Sequence, residues 1–173
     1  MDTTDTEKAP RRKGRIATNV TSLDTLVGAH PSALESIFAK GEAARPESLG
    51  DRPRGRLLTL AAAREVHLAL RPVIEWLSSS LMPWEGVVFD HGGNAGANLV
   101  FGRETARFRA ESTSSAIDGQ PALVLTYASA RWPINLLRDE LRLVNDGLAI
   151  GPTFVEIGGK PHLVAWFGLE ASR

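Results

Sequence analysis

The residues best placed for chemistry stand in "RDELR", 138–142, where two carboxylates lie between two arginines. On a strand, Arg138, Glu140 and Arg142 share one face, and Asp139 shares the other with Leu141 and Leu143. A carboxylate among apolar neighbours is a candidate general base or arginine partner, so Asp139 and Glu140 are the acidic candidates for catalysis. Arg109 and Arg142 could grip a ligand carboxylate through a bidentate fork. Pointing outward, the same arginines would form cross-strand ladders contributing only about 0.2–1 kcal/mol per pair. Tyr127, the one tyrosine, follows Leu123 and Leu125 on a strand face, with Trp132 just beyond; rings with a polar tip suit a pocket wall or a core edge.

The four histidines, His30, His67, His91 and His162, have none of the close spacings of compact metal motifs, and no metal site is expected. His162 opens the last strand, where it could carry a proton or ligate haem, or simply stand exposed at a strand start. "DHGGNAGAN", 90–98, leads into a strand and lacks the Lys-Ser/Thr ending of a phosphate loop. It reads as a hairpin loop whose Asn98 could offer a polar contact to a ligand. No Gly-x-Ser-x-Gly elbow is present, and no cysteine, so thiol chemistry, disulfides and thiolate metal sites are excluded.

A chain of 173 residues suffices for one core, and 43% hydrophobic with 23% charged residues is ordinary for a globular domain. Twenty basic residues balance twenty acidic ones, which removes the positive field of non-specific nucleic-acid binding. No apolar run is long enough to span a bilayer, and the polar N-terminus lacks a signal peptide's apolar stretch; a soluble cytoplasmic protein is expected. Residues 1–20 hold almost no large apolar side chain and read as a flexible tail. Its cluster of Lys8, Arg11, Arg12, Lys13 and Arg15 reads as solvated. Residues 21–173 form a single domain.

"HPSALESIF" predicts a helix starting at Pro31 with Leu34, Ile37 and Phe38 on one face, and Gly41 ending it. Residues 45–56 are punctuated by Pro and Gly and read as a loop. A second helical stretch spans Leu60 to Leu81, interrupted at Pro72. From Pro83 the period becomes two: "GVVFD" and "ANLVFG" form one hairpin, "ARFRAESTSSA" and "PALVLTYA" another across an Asp-Gly turn. "RDELRLV", "LAIGPTFVEI" and "PHLVAWFGLE" form a meander across "NDG" and "GGK". The last strand is apolar on both faces, so it is buried twice, inside a barrel and beneath a helix such as 60–81. The fold class is α+β, mainly β: an antiparallel meander barrel or strongly curved sheet of about seven strands, with N-terminal helices packed on it.

The meander from 84 to 170 and "PWEGVVFD" together resemble the calycin-like barrels, the group of lipocalins, fatty-acid-binding proteins and nitrobindin-like proteins. Trp84 and Gly86 match the Trp-x-Gly half of the opening motif of nitrobindin-like barrels, with Met82 where that motif has its first glycine. The resemblance implies an apolar ligand held inside the barrel, or, in a few members, isomerase or cyclase activity.

The expected function is therefore a binding barrel for a small apolar molecule, with or without a carboxylate, and without a cofactor. Trp84, Asn98, Arg109, Tyr127, Trp132, Arg142, Phe154 and Trp166 are its candidate ligand contacts. The alternative is a cofactor-free cyclase or isomerase acting on a polyketide-like or terpenoid substrate, with Asp139, Glu140, Tyr127 and His162 as its acid–base candidates. A scaffold with a filled core is the third reading. The expected partner is the small molecule, with neither nucleic acid nor a membrane span, and a homodimer is compatible with all three.

Overall fold

Turn residues cut the chain from Trp84 to Glu170 into seven strands, and the computed structural model, which describes residues 19–60, 75 and 83–172, adds an eighth before them. In chain order the described elements are α1 (Pro31–Phe38), β1 (Glu42–Ala43), α2 (Pro46–Leu49), β2 (Arg54–Leu60), β3 (Trp84–Phe89) and β4 (Ala95–Val100). β5 (Arg103–Ser114), β6 (Pro121–Thr126), β7 (Leu137–Asn145), β8 (Leu148–Ile157) and β9 (Lys160–Glu170) follow. Strands β2 to β9 pair in sequence order, every pair antiparallel, and β2 then pairs with β9. The result is a closed eight-stranded up-and-down barrel, which leaves no long strand edge unpaired. β1 is a two-residue addition on β7. The expected Asp-Gly turn is present, with Gly119 at φ +72°, a conformation that favours glycine.

β2 is the one barrel strand that alternation along the sequence does not mark. Its first residues fell within the expected loop and its last, Leu60, within the expected second helix. The reason is a bulge between Leu57 and Thr59: Leu57 and Leu60, three residues apart, both join the inner layer while Leu58 joins the outer one, which breaks the period of two. The rest of the expected helix, 61–81, lies outside the described residues except for residue 75, which is helical, and so do residues 1–18 of the expected tail.

Two hydrophobic layers follow from the alternation. Phe89, Phe108, Leu125, Leu141, Ala165 and Phe167 belong to the layer inside the barrel. Leu58, Val144, Leu148, Ile150 and Trp166 project outward, where Leu23, Leu26, Leu34 and Phe38 cover them. The last strand is thus buried on both sides as expected, and among the described residues its outer cover is α1 and the 3-10 turn Leu23–Leu26. Phe38 meets Trp166 edge to face at 5.7 Å between ring centroids. α1 begins as its sequence implies, with Pro31 in the first turn and the His30 ring accepting from the Ser32 N–H.

The two ends of the barrel differ. At the end where β3 finishes, α2 closes the interior: Ala44 and Leu49 join the inner layer, and the Phe89 N–H donates to the Asp51 carbonyl. Phe89, Phe108 and Tyr127 then stack edge to face, each pair 5.8 Å apart, filling the interior toward the middle. The opposite end, where β3 and β7 begin, is left hollow by the described residues. Among the described residues no helix is long and apolar enough to cross a membrane.

Candidate functional site

The hollow end holds a cavity of about 460 Å³. Its described walls combine apolar Leu57, Leu137 and Phe167 with Trp84, Asn98, Tyr127, Asp139 and Thr153. Strand register brings the polar group together. Asp139 on β7 lies directly across from Thr153 on β8 and from Leu125 on β6. Tyr127 comes two residues after Leu125, so it shares that inner face.

A directed hydrogen-bond chain crosses the wall. The Trp84 indole N–H donates to Asn98 Oδ1 at 2.8 Å, and the Asn98 side chain lies within hydrogen-bonding reach of the Tyr127 hydroxyl. Tyr127 in turn donates to Asp139 Oδ2 at 2.7 Å. Among the described residues no hydrogen bond of good geometry reaches the buried Asp139 Oδ1, although the Thr153 hydroxyl stands near enough to act on the carboxyl. Burial, first of all, raises Asp139 from the ordinary 3.8 to about 6. Hydrogen bonding by Tyr127 and Thr153 pulls the other way, and the charge of Glu140 adds a smaller upward push. Burial also holds the Tyr127 phenol well above its usual value, with the Asp139 charge reinforcing it, so the phenol stays protonated. Chemically the site is an apolar pocket with one carboxyl able to take or release a proton near neutrality.

Of the residues singled out from the sequence, the structure gathers four here: Trp84, Asn98, Tyr127 and Asp139. The remainder lie elsewhere. Arg109 alternates with inward Phe108 and Ala110 and stands exposed outside the barrel. Glu140 and Arg142 alternate with inward Leu141 and are held in structural networks on the outer face. Ser115 Oγ and the Ala116 N–H donate to Glu140, as does Arg138 Nε at 3.0 Å. Every N–H of the Arg142 guanidinium has a partner: the carbonyls of Pro121, Phe38 and Gln120 and both oxygens of Asp118. None is left for a ligand. Phe154 alternates with inward Val155 and so points out, Trp166 lies in the outer layer, and His162 is exposed. Trp132 is 64% exposed in the β6–β7 connection.

Thr153, Leu57, Leu137 and Phe167 were not singled out. Thr153 was within reach of the alternation in "LAIGPTFVEI", since it shares a face with Ala149 and Val155. A wider hollow lies between the β4–β5 hairpin and the β6–β7 connection and holds no buried ionisable group among its described lining. Among the described residues no three His, Asp or Glu side chains gather as a metal ion would require.

The chain matches no protein-family model and no curated protein. It is similar to a solved structure, the crystal structure of a protein from Thermomonospora curvata, at 17% identity and a TM-score of 0.57. The match covers 87% of this chain and 93% of that one. At that identity the likeness speaks for the barrel fold alone.

Proposed function

We propose that this protein binds a small, largely apolar molecule in the hollow end of its barrel. The observation that carries the reading is the cavity of about 460 Å³, within the range of ligand pockets and walled by apolar and aromatic side chains around a few convergent polar groups. The likeness of "PWEGVVFD" to calycin-like barrels leads to the same expectation. Because α2 and the Phe89–Phe108–Tyr127 stack occupy the other end, the ligand enters where Trp84 and Leu137 begin their strands.

The test is a panel of hydrophobic dyes and single-chain lipids followed by tryptophan fluorescence. Ligand binding is expected to change the Trp84 emission, and the change is expected to be lost in Trp84→Phe. Native mass spectrometry of protein purified from its own host then looks for a retained molecule. A flat response across the panel together with an empty native spectrum removes the reading.

The Asp139–Tyr127 pair favours a second reading, a cofactor-free isomerase or cyclase. A carboxyl that titrates near 6, beside a phenol that stays protonated, can take a proton from a bound substrate and return it. Turnover of the retained molecule that survives Asp139→Asn would count against it.

A further inference from the structure

The polar groups of the cavity leave an imbalance of hydrogen-bonding capacity. The Trp84 N–H and the Tyr127 O–H are both engaged, each donating toward the next member of the chain. The chain ends on a carboxyl with one oxygen that no hydrogen bond of good geometry reaches among the described residues. The donors that meet this carboxyl among the described residues, Tyr127 and Thr153, are neutral hydroxyls, so none of them supplies a positive charge.

Charge follows the same pattern. Arg56 is the one cationic residue among the described lining, and its guanidinium pairs with Asp24 at 2.7 Å on the half-exposed side. Arg142 is engaged by Asp118 outside the barrel, and Arg109 is exposed there. The groups that act on the Asp139 carboxyl are Tyr127, which stays neutral, Thr153, and Glu140 on the opposite face of β7, itself paired with Arg138. The buried carboxyl therefore has no cationic partner among the described residues. Trp84, Tyr127 and Phe167 add aromatic rings, whose faces attract cations.

We infer that the molecule this cavity takes is an apolar amine, whose protonated nitrogen pairs with Asp139, and that it is not a carboxylate. The inference rests on the reading of the barrel as a small-molecule binder. A carboxylate ligand would bring two like charges together in a poorly screened interior. A plain hydrocarbon would leave the ionised carboxyl without a counter-charge. An ammonium group satisfies it with a charge-assisted hydrogen bond, while its apolar body covers Leu57, Leu137 and Phe167.

Three probes of one skeleton test this on the full chain: phenylbutylamine, phenylbutanol and phenylbutyrate, each titrated by calorimetry and tryptophan fluorescence at neutral pH. The amine is expected to bind roughly tenfold or more tighter than the alcohol, and the carboxylate more weakly than the alcohol. In Asp139→Asn, with folding verified by circular dichroism, the amine's advantage over the alcohol should disappear. Amine binding near pH 6 should also release protons from the parent protein, since the ammonium selects the ionised carboxyl; calorimetry in buffers of different ionisation enthalpy reads this without the variant. Carboxylate binding as tight as the amine's, an amine preference that persists in Asp139→Asn, or no proton release overturns the inference. If the alcohol and carboxylate bind and the amine does not, the cavity reading stands and this inference falls. If none of the three binds, both fall.

Discussion

A carboxyl taken out of water favours its protonated form, and Asp139, raised from 3.8 to about 6, keeps a proton that the unfolded chain has already released over that interval. The folded state binds more protons there, so this residue lowers stability progressively as pH rises through the window, and its full cost, about 3 kcal/mol, is present above it. Asp139→Asn removes that cost and keeps a carbonyl to accept from Tyr127. Urea denaturation should find the variant about 1–3 kcal/mol more stable than the parent at neutral pH, with the difference vanishing below about pH 4. A variant less stable at neutral pH would mean that the carboxylate has a stabilising partner. Asp139 was legible because leucines two and four residues on mark its face as apolar. Thr153 belongs to the same pattern, but Gly151 and Pro152 interrupt the alternation before it.

At the scale of elements, the barrel needs its β5–β6 turn held against β7, and two side chains do this from the outer face. Glu140 anchors the start of the turn through Ser115 and Ala116, and Arg142 anchors its end through Asp118 and Gln120. Arg142 also lies over the Phe38 ring at 4.3 Å, which ties α1 to the same strand. Arg142→Ala strips partners from Asp118 and three carbonyls and is expected to cost about 3–5 kcal/mol by denaturation, whereas ligand affinity of the folded variant should stay unchanged. A selective loss of binding without loss of stability would instead give Arg142 a part in the site. The sequence placed Glu140 and Arg142 on one face of a strand; it did not say that a turn more than twenty residues upstream covers that face. Such contacts depend on strand order, and local spacing carries no record of it.

For the molecule as a whole, one barrel wall serves two cores. Its inner face builds the cavity and the aromatic stack, and its outer face needs α1 and the Leu23–Leu26 turn to keep Trp166, Leu148 and Ile150 from water. Phe38→Ala opens a void against Trp166 and is expected to cost about 3–5 kcal/mol, with a red shift of tryptophan emission as water reaches the indole. An unshifted spectrum would mean that the outer layer closes over the gap. Seven of the eight barrel strands, their turns and the start of α1 follow from the amino-acid sequence alone, because alternation, proline and glycine act between neighbours along the chain. The closing strand β2, the face on which each arginine works and the hollow that the described residues leave at one barrel end were decided only by the tertiary structure. A bulge erases the period of two, and whether a barrel is filled depends on side chains that meet across it from strands distant in sequence.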